Sequence, residues 1–343
     1  MFPIAILLLG LQAVPAAPPA ATPEVAPSSI AASAPLDGAR DADPAVTVPG
    51  REMDAQVARI AWRLAAAGRS RCSAVPASGL VFQHLLQFHP ADRAGVIAVR
   101  PLDRGPGVIV VVPDAPGAAA GIRAGDVLLA VDGVPLAPEP ASGPDLAAPF
   151  DAARARARAD AVDDLLERAE PVSVTLLRDA PGDALAGGTP IVARIDPRPV
   201  CPSRVRLARS EQRNAYADGR HVFMTTGLLA RLHGDDELAF VLAHEMAHNI
   251  LGHAALMRAG GVRRGITRGL GRSGQVVRAA ERAADALAGD MMLDAGFDPV
   301  AGAAVLARLG GDGFGLFADH DPATARVAVM RTLAEARRVA RAP

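Results

Sequence analysis

The stretch Leu238–His253, LAFVLAHEMAHNILGH, decides the reading. Gly234-Asp235-Asp236-Glu237 places acids where a helix starts, and Leu238, Val241 and Leu242 lay an apolar stripe along it. Each helical residue turns by about 100°, so His244 and His248 lie roughly 40° apart on one face. Two imidazoles so placed can bind one metal ion. Glu245, beside the first, can contact a water on that ion rather than the ion itself. This is the arithmetic of a His-Glu-x-x-His zinc motif, in which zinc acidifies a water and the glutamate takes its proton. The competing reading is a buried helix that happens to carry a polar face.

The third ligand separates the possibilities. A metzincin continuation requires Gly at 251 and His at 254, and the chain has Leu251 and Ala254 there. His253, nine residues after His244 and so turned by about 180° from it, faces away from the metal and is not a ligand. A glutamate from a later helix is the other solution, and AAERAADALAGD (Ala279–Asp290) supplies it. Glu281 completes a tetrahedral site. Asp285, four residues on and on the same face, is placed to accept the Nδ1–H of a ligand histidine and fix its tautomer.

A chain of 343 residues, half of them hydrophobic, can bury a sizeable core and is expected to hold two domains. The net charge of −1 creates no field that would draw it to nucleic acid or to an anionic membrane. Aromatic residues make up only 3%, too few for base-stacking platforms, so nucleic acid is not an expected partner. All 36 basic side chains are arginine.

Ile4–Val14 is an apolar run of signal-peptide length, and Val14-Pro15-Ala16 puts small residues at a cleavage position. Residues 1–16 are read as a signal peptide, although no basic residue precedes the run. Residues 17–50 are read as a disordered Pro- and Ala-rich tether. The expected location is the periplasm or cell envelope of a Gram-negative bacterium. In an exported chain the two cysteines, Cys72 and Cys201, are expected to form one disulfide that clasps the base of the region between them. A helical segment covers 51–84, with its helix at Met53–Ala67.

Residues 85–197 shorten their period into strands at Val96–Val99, Val108–Val112, Val127–Val131, Val172–Leu177 and Ile191–Ile195. One helix, Phe150–Ala169, interrupts them, with Arg and Asp on a face read as exposed. Within this region PGAAAGIRAGDVLLAVDGVPL (Pro116–Leu136) has a short helix, a Gly-Asp turn into a strand, and an Asp-Gly turn out of it. It resembles a PDZ domain of the bacterial protease-associated kind. The resemblance implies a peptide ligand that joins the sheet between Val96–Val99 and the helix Phe150–Ala169, near the backbone N–H groups of Arg93-Ala94-Gly95. Ala137–Pro149 reads as an insertion.

Residues 198–343 are mostly helical. His244-Glu245-Met246-Ala247-His248 with Glu281-Arg282-Ala283-Ala284-Asp285 resembles the gluzincin family that holds HtpX and the CAAX prenyl proteases, metallopeptidase family 48. NAYADGRHVFMTTGLL (Asn214–Leu229) is similar to the family's strand segment upstream of the zinc helix. His253 stands where many members also have a histidine. HDPATAR (His320–Arg326) resembles the family's His-Pro segment, with Asp321 in place of the usual first proline.

The resemblance implies an α+β chain: a mostly helical gluzincin zinc-peptidase domain preceded by a β-rich PDZ domain. It implies one Zn2+ per chain on His244, His248 and Glu281, with Glu245 as general base and His320 as donor to the oxyanion. Arg326 either supports that step or pairs with a nearby acid. The strand His221, Val222, Phe223, Met224, Thr225 would form the sheet edge on which an extended protein or peptide substrate lies. Lacking internal spans, the chain is more like the soluble, exported branch, and membrane association is not indicated. The Arg- and Gly-rich segment Met257–Arg278 reads as a solvated connection or as a lid or anion-facing patch. His84, His89, His221 and His233 carry no assigned role. The rival reading is a PDZ adaptor or chaperone whose protease domain is a scaffold; an intact ligand set with Glu245 argues for the enzyme.

Overall fold

The computed structural model describes residues 50–137, 149–168, 170–178, 188–202, 204–260, 271–309 and 321–341. The signal and tether segments, most of the Ala137–Pro149 insertion, the middle of Met257–Arg278, and His320 lie outside the described residues.

The chain begins with helix α1 (Glu52–Ala67), followed by short strands β1 (Val75–Ala77) and β2 (Leu80–Gln83) and helix α2 (Pro90–Val99). Next come β3 (Gly107–Val111), α3 (Pro116–Ala119), β4 (Val127–Val131), β5 (Val134–Pro135) and α4 (Ala152–Leu166). The strands β6 (Val172–Arg178), β7 (Thr189–Ile195) and β8 (Arg198–Val200) complete this half. The second half opens with β9 (Arg204–Ala208), β10 (Ala215–Ala217), β11 (His221–Thr225) and α5 (Thr226–Leu229). Helices α6 (Asp235–Ile250), α7 (His253–Ala259), α8 (Gly271–Asp294), α9 (Pro299–Leu309) and α10 (Ala323–Arg341) finish it. The architecture is α+β, a β-rich first half and a mostly helical second half.

The larger sheet runs β2-β3-β4-β6-β7, all antiparallel, with β5 paired to β4. Its edge strand β2 lies upstream of Leu85. The central strand β3 is buried along its whole length, which explains its unbroken apolar run. On one face Val108 and Val111 pack with Leu128, Val174 and, from α4, Val162 and Leu166. On the other, Ile109, Val110 and Val112 meet Ala55 and Trp62 of α1. The opposite side of α1 puts Val57, Ile60 and Leu64 into the helical core of the second half. One helix therefore serves both cores. Each fully buried side chain of this size stabilises by roughly 1.5–3 kcal/mol.

One expected strand is corrected. Val96–Val99 is the last turn of helix α2, not a strand. His89 caps this helix through Nδ1, which accepts the N–H of Ala91 at 3.3 Å, and Pro90 holds the first helical position. Val96 turns inward with Leu85, Phe88 and Leu102, while Val99 is 70% exposed. A peptide cannot add to a helix, so the groove placed there from sequence does not exist at that site.

In the second half β11 is the middle strand of three, antiparallel to β10 and parallel to β9. Behind it stands α6, buried at every position from Glu237 to Ala247. A helix buried on all sides belongs at a domain's centre, and α8, α9 and α1 surround it. The packing of α9 on α6 needs glycine at 302: a Cβ there would lie 2.5 Å from the Asp236 carbonyl oxygen and 2.9 Å from the Phe240 Cβ.

Candidate metal centre

The residues that could hold a metal come from two helices. His244 and His248 sit on one face of α6, and Glu281 and Asp285 on one face of α8. The Nε2 atoms of the two histidines are 3.1 Å apart, and each is 3.3 Å from Oε2 of Glu281. Donors arranged tetrahedrally about 2.0–2.1 Å from an ion stand about 3.3 Å from one another. The donor set and its spacing thus fit a metal ion, and among the described residues it is this trio whose ligand atoms gather within 4.8 Å. Three protein ligands leave the fourth position for a water or substrate.

Both metal-facing imidazoles are held from behind. Nδ1 of His244 lies 3.0 Å from Oδ1 of Asp285. Arg326 of α10 grips that aspartate with both arms, Nε to Oδ2 at 2.7 Å and Nη2 to Oδ1 at 2.6 Å. Of the two roles left open for Arg326, pairing with an acid is the one found. Burial raises the Asp285 carboxyl, but its bonds to His244 and Arg326 outweigh this and hold it down at about 2. Glu281 is held well below the carboxylate range in the same way, burial being outweighed by the two histidines.

His253 departs from expectation. It is outside the ligand trio but turned towards it: its Nδ1 lies 2.9 Å from Nδ1 of His248. The extrapolation fails because α6 ends at Ile250 and Gly252, at φ 66°, turns the chain before α7 begins. Burial and the neighbouring His248 push the His253 imidazole down to about 4.

Glu245 is buried on α6, and burial raises its carboxyl above the ordinary value. The backbone N–H of Ala217 on β10 bonds to it. A second correction belongs here. His221–Thr225 forms a strand, but both its edges are taken, so it is not the sheet edge. The outer strand on the metal side is β10. Asn214 O and Asp218 N bond to β11, so by the alternation of an antiparallel pair the backbone groups of Ala215 and Ala217 point outward.

The acidic face of α4 is paired and only partly open to solvent. Asp160, Asp163, Asp164 and Glu167 meet Arg204 and Arg206 of β9, Arg220, and His221. Nε2 of His221 lies 2.7 Å from Asp160 and its Nδ1 3.2 Å from Asp218. Sequence reading missed this contact: acids at i, i+3, i+4 and i+7 show one shared face, but the cations that meet it come from elsewhere in the chain. His84 caps a 3-10 turn and is buried. Cys72 and Cys201 are joined by a disulfide, as the two-cysteine count suggested. His320 is outside the described residues; Asp321 beside it pairs with Arg282.

Residues 193–267 match the model of Peptidase family M48. Residues 107–148 match that of a PDZ domain. The two matches support an M48 metallopeptidase that carries a PDZ domain. The M48 match holds His244, Glu245, His248 and His253 but stops before Glu281, which the fold brings in. The PDZ match starts at β3, and the sheet adds β2, β6 and β7 around it. No curated protein matches the chain.

Proposed function

We propose that the chain is a zinc-dependent endopeptidase of the soluble, exported branch of the family that holds HtpX and the CAAX prenyl proteases, working in the periplasm or cell envelope of a Gram-negative bacterium. The observation that carries it is the convergence of His244, His248 and Glu281 beside the buried carboxylate of Glu245. Two imidazoles and one carboxylate with an open fourth position suit Zn2+ in a catalytic site. The order of motifs, His-Glu-x-x-His then Glu281 and Asp285, supports the finer assignment. The apolar run Ile4–Val14 and the Cys72–Cys201 bond support export, since disulfides persist in oxidising compartments.

Bound there, zinc would supply Lewis acidity towards the scissile carbonyl and the attacking water. The remaining work falls to the chain. Glu245, with its proton affinity raised by burial and its carboxylate steadied by the Ala217 N–H, takes a proton from the water and returns it to the leaving amine. An extended substrate would pair with the outward backbone groups of Ala215 and the carbonyl of Ala217 on β10, the Ala217 N–H being taken by Glu245, which brings its peptide bond alongside that carboxylate. Outside the described residues, His320 is proposed as the oxyanion donor.

The PDZ sheet is proposed to bind or gate substrate. Its outer strand β2 is the edge a peptide would join; Leu80 and Phe82 of that strand pack in the same cluster as Val162 and Leu166 of α4. No described helix is long and apolar enough to cross a membrane.

The test is metal analysis of the purified chain with casein hydrolysis before and after chelation, alongside Glu245→Gln. The variant should fold, keep its zinc and lose activity by about 10²–10⁴-fold. A variant as active as the parent would remove Glu245 from the chemistry, and a metal-free parent with full activity would remove the zinc.

A further inference from the structure

We propose that His253 is a positioning residue for the metal centre: it accepts the Nδ1–H of His248 and so fixes the tautomer and ring plane in which His248 offers Nε2 to the metal. The proposal rests on the metal reading above and assigns a second residue class to it.

The argument starts from the two nitrogens of His248. Nε2 points into the cluster, 3.1 Å from Nε2 of His244 and 3.3 Å from Glu281. Nδ1 points the other way and meets Nδ1 of His253 at 2.9 Å. Two ring nitrogens at that distance share one proton: two protons would collide, and none would set two lone pairs against each other. A neutral His248 that gives its Nε2 lone pair to a metal carries its proton on Nδ1. His253 must then present a bare Nδ1 and keep its own proton on Nε2. The rings stand nearly perpendicular, 72° apart with centroids at 4.9 Å, so the in-plane lone pair of one addresses the edge of the other. His253 is 6% exposed, which shields the bond from competing water.

The local fold makes this contact possible. Had α6 continued, residue 253 would lie on the far side of the helix. Gly252 in the left-handed region ends that helix and returns His253 to the back of His248 as the first residue of α7. The two metal histidines are thus supported by different chemistry. His244 leans on the carboxylate of Asp285, whose charge Arg326 balances. His248 leans on a neutral imidazole, which orients the ring without adding a further anion beside Glu245 and Glu281.

Zinc affinity of the full chain, measured by competition with a chromogenic chelator, tests the proposal, with each variant's melting temperature recorded beside it. His253→Ala and His253→Phe remove the acceptor, the second while keeping an aromatic ring; His253→Asn keeps an acceptor oxygen. Zinc should bind about 10–100-fold more weakly in the first two, the cost typical of losing an outer partner of a metal histidine. His253→Asn should recover part of that loss. Cobalt in place of zinc should show a changed visible spectrum in His253→Phe and a nearer-to-parent one in His253→Asn. Either acceptor-free variant, folded and binding zinc as tightly as the parent, would overturn the proposal. So would equal losses in His253→Phe and His253→Asn at equal melting temperature. A parent chain that binds no zinc, or a His248→Ala variant that binds it normally, would instead strike the metal reading itself.

Discussion

Asp160 and His221 meet at 2.7 Å, Oδ1 to Nε2, across 61 residues of sequence. The contact ties the helix over the PDZ sheet to the middle strand of the sheet beside the metal. On its other side His221 faces Asp218, in the turn that joins β10 to β11. Asn249 of α6 holds the same turn, accepting from Gly219 N at 2.7 Å and donating to His221 O at 2.9 Å. Next to Asp218 is Ala217, whose N–H reaches Glu245. Helices α4 and α6 therefore both hold this one turn.

Arg204 is the hub on the α4 side, bonded to Glu167 through Nε and Nη2 and to Asp164 at 2.5 Å. Arg204→Ala should lower stability by about 1–3 kcal/mol, between the values for exposed and buried pairs because the acids are only partly covered. Urea denaturation at low salt reads it, and the gap to the parent should shrink near 1 M salt as screening shortens. An unchanged midpoint at low salt would show the network to be idle.

Arg326 and Asp285 form a buried ion pair, each side chain under 5% exposed. Arg326→Met leaves the carboxylate charged and without its guanidinium in the interior, a loss of about 3–5 kcal/mol. The double variant with Asp285→Leu should recover part of that loss, since both charges go together. A single-variant loss below about 1 kcal/mol would mean that Asp285 draws its support from His244 alone.

The candidate ligand cluster was legible because helical periodicity is local: His244 and His248 at i, i+4, and Glu281 with Asp285 at the same spacing, keep their shared faces in the fold. The misreadings have physical causes. His253 was aimed by a helix that Gly252 stops short. Val96–Val99 is β-branched and apolar, yet the His89-Pro90 cap upstream commits the segment to a helix. The acid row of α4 shows its periodicity in sequence, but its partners Arg204, Arg206 and Arg220 lie some 40–60 residues away, and pairing at that range follows from tertiary packing. The same holds for β11, whose strand character is local and whose central position is not.

Cys72 and Cys201 close a loop of 129 residues around the PDZ sheet. Chain entropy alone would make such a closure worth up to about 5 kcal/mol. Reduction, or Cys72→Ala with Cys201→Ala, should therefore lower the urea midpoint without altering the metal site. Equal midpoints for oxidised and reduced protein would leave the bond without a stabilising role.

Two aspartates should give opposite acid slopes. Burial raises the Asp294 carboxyl, but hydrogen bonds from Arg71 and Arg337 outweigh it and hold the folded value below the ordinary 3.8. A depressed carboxyl contributes stability that is present above about pH 4 and lost as pH falls through the folded value. For Asp54 burial wins over Arg209 and Arg51, and the folded value lies above 3.8. Its charge is a burden at neutral pH that protonation relieves, so its contribution grows as pH falls through that raised value. Melting temperatures from about pH 7 down to pH 3, for the parent, Asp294→Asn and Asp54→Asn, check both signs. The parent's advantage over Asp294→Asn should narrow on acidification, and its standing against Asp54→Asn should improve. Parallel curves for all three would mean that neither carboxyl titrates differently in the folded and unfolded chain.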